Sequence, residues 1–509
     1  MLTLIAHPHL ARIGEQALLT DLEAGGTVEV TRRLPLFGQP WRNASQPLAD
    51  RSLSRNHPLV LSRGGARGSV VIDARQSSRS VQVDGEEILG QHRVISPLEL
   101  SRGVVLLLAR RIALLLHAVQ AIAPTSRGDL GIIGESCAVT RARNQIASVA
   151  RSGHPVLIRG ETGTGKELVA HAIHQLSGRR PLIPVSLAAI PAHLVAAELF
   201  GAVKGAYTDL QRDRPGKFLE ANRGTLFLDE IGDISPETQT ALLRALEERT
   251  VTPLGGGRPT PIDVRVLAAT DHDLEHAMEE GRFRQQLFYR LQDFQVWLPP
   301  LRERREDIGR LFVHLLREDL QASDKGDLLD LADLDSSWLP GEVGAALALH
   351  SWPGNIRELR GVVRRIAAAG IGADGKIDSH AIAKAVANSL GPEAWPGRPT
   401  QSQQPEPSAQ SVVHGNRRLH PSDLDRDTIL KALNTSKGST NEAAAILGIG
   451  RTSLYKAMAR CGVKTSTQLS EQEIRDAWEQ AGGRVGVMAR MLYVSRQGLC
   501  KRLKELGLR

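Results

Sequence analysis

Cysteine is scarce: Cys137, Cys461 and Cys500 are the only three in 509 residues, far apart and without metal or redox spacing. They are expected to be reduced thiols, which excludes a disulfide scaffold and a cysteine-ligated zinc module. No apolar run is built to cross a bilayer. The one stretch of concern, Val104 to Leu116, is interrupted by Arg110-Arg111 and reads as two buried strands around a turn. The first residues lack the basic-then-apolar plan of a secretion signal, so the protein is expected to be cytoplasmic. Nor is there the acidic cluster of a phosphoacceptor receiver domain, and control by aspartate phosphorylation is not expected. Charge imbalance is missing from most of the chain. Lys+Arg number 64 against 56 Asp+Glu overall, and from Arg417 onward 17 against 9, so the first 416 residues are neutral. A basic tail on a neutral body fits an acidic polymer, most simply DNA.

What is present is ordinary in bulk, 41% hydrophobic and 24% charged, and long enough for roughly three or four domains. The organising stretch is Gly160-Glu161-Thr162-Gly163-Thr164-Gly165-Lys166-Glu167. It comes after the apolar run Pro155–Ile158 and opens the periodic segment Leu168–Ile173. Strand, loop and helix in that order make a phosphate cradle: backbone N–H groups turn inward, the helix N-terminus adds partial positive charge, and Lys166 reaches the β- and γ-phosphates. Glu167 stands where a Mg²⁺-binding Ser or Thr is usual. Downstream, Gly224-Thr225-Leu226-Phe227-Leu228-Asp229-Glu230 is an apolar strand ending in two carboxylates. Asp229 can orient Mg²⁺ and Glu230 can polarise an attacking water. Val264 to Asp271 is a further buried strand whose polar tip, Thr270, is suited to sense the γ-phosphate.

Three more stretches lie beyond it: Arg282–Leu291, Leu298–Arg304 and Trp352–Leu359. In this order the motifs resemble the central AAA+ domain of the NtrC-like bacterial enhancer-binding proteins, activators of sigma-54 RNA polymerase, over about residues 132 to 390. The resemblance implies an ATPase using ATP and Mg²⁺, with an α/β subdomain over 132–300 and a helical lid over 301–390. Gly160 to Lys166 would be Walker A, Asp229 and Glu230 Walker B, Thr270 sensor I, and Arg357 sensor II. Arg284 and Arg290 match arginine fingers that reach a neighbour's nucleotide, implying self-association into a ring, typically a hexamer. Glu167 matches the family's usual residue.

The family's sigma-54 contact loop reads Gly-Ala-Phe-Thr-Gly-Ala; here it is Gly205-Ala206-Tyr207-Thr208-Asp209-Leu210. Tyr207 keeps an aromatic tip, whereas Asp209 and Leu210 replace a flexible Gly and a small Ala. Two further departures are Ser186, where the family carries an Asn holding the catalytic Glu, and Asp271, for an Asn beside sensor I.

Residues 1–125 hold short β-like runs, Thr27–Val30, Leu59–Leu61, Ser69–Ile72 and Val81–Val83, separated by turn signals such as Asp84-Gly85. The spacing favours a β-sandwich. The order of an early Arg (Arg32 or Arg33), then Ser54-Arg55-Asn56-His57, then Asp73 and Ser77-Ser78 resembles a forkhead-associated (FHA) domain. In that family the early Arg and the Ser hold a phosphothreonine peptide, which implies Arg32, Ser54 and Arg55 as phosphate ligands here. Arg79 occupies the position of the family's Asn. The bland alternative is a degenerate sandwich serving as a regulatory cap.

Residues 391–418 read as a linker, Pro-, Gln- and Ser-rich through about His414. Beyond the linker the sequence repeats itself: 428–463 and 473–508 align without gaps at an offset of 45, pairing Ile429 with Ile474, Leu454 with Leu499 and Arg451 with Arg496. Each copy carries a long helix, a Gly turn and a basic second helix, the helix-turn-helix plan that enters a major groove. The copy at 419–464 resembles the Fis-type module of enhancer-binding proteins; 470–509 is a looser repeat. Arg451, Thr452, Ser453 and Lys456, with Arg496, Gln497, Lys501 and Arg502, are the expected groove and phosphate contacts.

The fold expected is therefore multidomain: an FHA-like β-sandwich, an α/β AAA+ P-loop ATPase with a helical lid, and an all-α helix-turn-helix tail. The leading function is a sigma-54-dependent activator that binds upstream DNA and remodels sigma-54 RNA polymerase by ATP hydrolysis. Tyr207 and Thr208 favour it. Asp209 and Leu210 favour a rival, a DNA-binding regulator whose nucleotide-controlled AAA+ domain does not engage sigma-54.

Overall fold

Alternating β-branched and aliphatic residues early in the chain build two antiparallel sheets, as the spacing of short runs and turns requires. The computed structural model describes residues 1–39, 44–65, 68–120, 122, 128, 130–206, 212–329, 337–372, 376–391, 429, 454, 458, 461, 471–480, 485, 488, 492, 499 and 503. It falls into two units, Met1–Ser402 and Gln403–Arg509.

In the first unit, one front sheet runs His92–Ile95, Val70–Asp73, Leu59–Arg63, Thr27–Val30. The other has eight strands, with Leu2–Ala6, Ile112–Leu116, Val104–Leu108 and Val81–Val83 at its centre. Arg110 and Arg111 do form the turn between two buried strands: Leu106 pairs with Leu114 and Leu108 with Ile112. Between the sheets lies a core including Leu4, Leu61, Ile72, Leu106 and Leu114.

The next layer is a five-stranded sheet in the order Leu182–Ser186, Thr225–Asp229, Arg265–Thr270, Val156–Arg159, Phe294–Trp297. All its pairings are parallel. Its strands are nearly continuous apolar runs because helices cover both faces, giving one core on each side of the sheet. Helices Ile308–Ala322, Gly341–Leu349, Asn355–Ala369 and Ser379–Leu390 form the lid. Trp338 and Trp352, both fully buried, sit in the lid core. Each indole N–H finds a backbone carbonyl, Leu328 O at 3.0 Å and Leu347 O at 2.8 Å. Among the described residues no helix is long and apolar enough to cross a membrane.

In the second unit, helix Glu471–Gln480 lays Ile474 and Ala477 into a small core with Val485, Met488, Leu499 and Leu503. Burial obeys the repeat: Ile429 and Ile474, Leu454 and Leu499, Met458 and Leu503 are pairs 45 residues apart, each almost fully buried. The eight expected DNA contacts, Arg451 to Lys456 and Arg496 to Arg502, lie outside the described residues.

Candidate functional site

Parallel strands carry their C-terminal ends to one edge, and a ligand site forms in the crevice beyond that edge. Register brings the motifs together there: Arg159, just before the loop, pairs with Thr270, and Ser186 pairs with Asp229. The phosphate loop then turns into helix Lys166–Ser177, with Gly165 in the left-handed region at its N-cap. Gly163 is also left-handed (φ +75°), and a Cβ there would overlap the carbonyl of Gly354 in the lid. Only glycine fits a position that demands both the dihedral and the close approach.

Lys166 curls under the loop, Nζ donating to Gly160 O at 2.9 Å and Glu161 O at 3.3 Å. Burial pulls its pKa down, opposed by the carboxylates of Asp271, Asp229 and Glu230. Asp229 is half-buried, and burial raises its carboxyl despite the facing Lys166. An acid of this kind gains from a cation beside it. Glu230 holds a left-handed backbone (φ +60°) immediately after the strand and donates its N–H to Asp229 Oδ1 at 3.2 Å. Such a conformation in a non-glycine residue marks a site where geometry outweighs local preference. Thr270, 1% exposed, accepts the His272 N–H through Oγ1 at 3.0 Å. Glu167 lies in the first turn of the helix, with His171 3.8 Å away.

The lid closes the loop from above. Arg357 Nη1 donates to Thr162 Oγ1 at 2.9 Å. Three residues not singled out from the sequence also reach it. Asn355, fully buried, donates Nδ2 to Glu161 Oε2 and Thr162 O, both at 3.1 Å, and accepts the Leu301 N–H at 2.7 Å. Arg302 grips the Glu161 carboxylate with both terminal nitrogens, at 2.8 and 2.5 Å, and holds it below the usual carboxylate range. Arg304, fully buried, donates to Thr164 O at 3.4 Å. The signal available was the series Leu301-Arg302-Glu303-Arg304, whose basic residues read as surface salt-bridge partners.

Other expected site residues lie elsewhere. Arg284 is exposed, its N–H donating to Gln239 Oε1. Arg290 donates to Leu246 O at 3.3 Å and lines a cavity of about 310 Å³ with His154 and Asp293. Both of those precede their strands, so this cavity lies at the edge opposite the phosphate loop. Gly205 and Ala206 leave the short ladder Gly201–Ala202 with Arg214–Pro215, which pins the two arms of the loop between them. Tyr207 and Thr208 lie outside the described residues. In the front sandwich, Arg32 N donates to Ser54 O at 3.0 Å, and Arg32 Nε donates to Ala49 O. Ser54 Oγ accepts the N–H groups of Asn56 and His57. Ser54, His57, Ser77 and Arg79 line one small cleft; Arg55 and Arg33 are exposed.

Residues 132–297 match the model of the sigma-54 interaction domain, 302–394 that of an AAA+ ATPase lid domain, and 421–460 the Fis family of bacterial regulatory proteins. The DNA-binding transcriptional regulator NtrC of Escherichia coli (strain K12) is 39% identical over 358 residues, 68% of this chain and 72% of the relative. The chain belongs to the NtrC-like sigma-54-dependent regulators. The transcriptional regulatory protein ZraR of Salmonella typhimurium is also 39% identical, over 66% of this chain and 70% of its own length. Among solved structures, NtrX from Brucella abortus in complex with ATP is 29% identical, covering 65% and 69% of the two chains, with a TM-score of 0.44. This NtrC-like protein is therefore a sigma-54-dependent transcriptional activator with an ATP-binding AAA+ ATPase domain and a Fis-type DNA-binding domain. Before the matched regions, the described residues between Leu2 and Leu116 carry two antiparallel sheets.

Proposed function

We propose that this activator works in the cytoplasm as a ring, typically a hexamer, in which each ATP is cleaved between two protomers. The observation that carries this reading is the place of Arg290, at the sheet edge away from its own Lys166. A transition-state cation that cannot serve its own site serves the next one, and such a finger is worth orders of magnitude in rate.

Within a protomer, the loop amides and Lys166 hold the phosphates, Thr162 and Arg357 tie the lid to them, and Thr270 positions the γ-phosphate. Glu230 orients the attacking water and accepts its proton. Asp229 suits Mg²⁺, an ion bound through one or two carboxylates plus phosphate oxygens. When bound, the ion neutralises charge on the β- and γ-oxygens. The loop Gly205-Ala206-Tyr207-Thr208 presses on sigma-54. Upstream DNA is held by Arg451, Thr452, Ser453 and Lys456, and by Arg496, Gln497, Lys501 and Arg502. The domain boundaries 1–125, 132–300, 301–390, 391–418, 419–464 and 470–509 belong to this reading. So does a phosphothreonine protein held at Arg32, Ser54 and Arg55, of which Ser54 lines the small cleft.

The deciding experiment mixes two inactive proteins, Lys166→Ala and Arg290→Ala. Shared sites require each to be silent alone and the mixture to recover part of the ATPase rate. A mixture as silent as its parts would end the shared-site reading.

A further inference from the structure

The eight-stranded front sheet has two apolar faces. Leu4, Leu106 and Leu114 turn into the sandwich, while their neighbours Ile5, Leu107 and Leu115 join the lid core with Phe312, Val343 and Leu347. Helix Gly341–Leu349 lies across Leu2–Ala6, Val104–Leu108 and Ile112–Leu116. The approach is close enough that lid glycines are required. A Cβ at Gly309 would stand 2.5 Å from Ile5 O; one at Gly344 would overlap Ala6 Cβ, and one at Gly341 the backbone of Arg111. Polar ties rim the contact: Arg110 to Glu342, and Arg310 Nη2 to Gly14 O at 3.0 Å and Gln39 Oε1 at 2.8 Å.

The lid helix Ile308–Ala322 leads inward to the phosphate loop. Asp307, at its start, accepts the N–H groups of Glu135 and Ser136 at 2.6 and 3.0 Å. Glu135 Oε1 is 3.4 Å from Arg310. Just before it, Arg304 and Arg302 hold the phosphate loop, and Ile356 N donates to Gly163 O at 3.0 Å. Packing and hydrogen bonds thus run without a break from the front sheet to the loop.

We propose that the front sandwich is a fixed wall of the nucleotide site: its docking on the lid holds Arg302, Arg304 and Asn355 against the phosphate loop and thereby sets the affinity for ATP. The three act as positioning residues, and the sandwich supplies the rigidity behind them. The coupling depends neither on sigma-54 engagement nor on peptide binding by the front cleft.

The test uses the full chain with a fluorescent ATP analogue. Gly344→Leu wedges the docked face apart, and Arg310→Met removes the ties to Gly14 and Gln39 together with the contact to Glu135. Undocking is read as faster hydrogen exchange in Gly341–Leu349 and Val104–Leu108. The Kd should rise by about fivefold or more, a coupling of ordinary size, while kcat at saturating ATP changes less than about twofold. Arg310→Lys should restore part of the affinity. Four outcomes would overturn the proposal: undocking with unchanged Kd, undocking with tighter binding, kcat and affinity lost together with the folded fraction, or a Gly344→Leu chain that stays docked. Should Gly344→Leu not fold, Arg310→Met decides alone: an unchanged Kd overturns the proposal.

Discussion

The two sheets of the front sandwich share one core but live in different surroundings. Thr27–Val30, in the four-stranded sheet, alternates exposed and buried residues, as a strand facing water on one side should. Val104–Leu108 and Ile112–Leu116, in the eight-stranded sheet, are buried at all ten positions. The second sheet is thus an interior layer. It is sandwiched between its partner sheet and the lid, and the boundary between front domain and motor runs through a continuous core.

Removing that layer is the harshest perturbation. Deleting residues 1–117 uncovers the apolar faces of Ile308–Ala322 and Gly341–Leu349, and the remaining chain should aggregate or bind a hydrophobic dye strongly, where the full chain does not. Acid is the next lever. His117 pairs with Thr3 Oγ1 at 2.9 Å and His7 with Leu48 O at 3.2 Å, both buried on the eight-stranded side. Burial, reinforced by the N-terminal ammonium for His117 and by Arg12 for His7, lowers each pKa from 6.5 to about 4. Neutral imidazole is thus favoured in the fold, so this stability is whole above pH 6.5 and is lost as pH falls towards 4. At pH 5 the loss is about 2 kcal/mol for each histidine, visible as an earlier thermal transition than at pH 7.

A finer break is Leu115→Ala, on the lid-facing side. It should cost about 3 kcal/mol by cavity formation and speed hydrogen exchange in both the strand and helix Gly341–Leu349. The matching change on the four-stranded sheet, Thr27→Ala at an exposed position, should stay within about 0.5 kcal/mol by denaturant titration. Equal costs at Leu115 and Thr27 would erase the distinction between the sheets.

Much of the nucleotide site is legible in the sequence because its chemistry is local. Glycines, Lys166 and the strand-end acids sit at fixed spacings that mean the same thing wherever they occur, and the fold places them at one sheet edge. The strand Leu2–Ala6 was not legible. Leu, Thr, Leu, Ile and Ala are buried on both sides, so no period of two marks them. The roles of Asn355, Arg302 and Arg304 were hidden for a different reason. Their partners are 140 or more residues away, and no local pattern tells a guanidinium that packs on a loop from one that faces water. Burial at an offset of 45 in the tail was legible, since a repeated sequence buries the same face twice.

Strands with two greasy sides also limit how this chain can be rebuilt. A chimera that puts another module in front of the motor inherits a flank shaped for Ile5, Leu107 and Leu115 and glycines spaced for one particular neighbour. Front sandwich and lid are thus obliged to change in step, and a graft succeeds only when the lid is resurfaced with it.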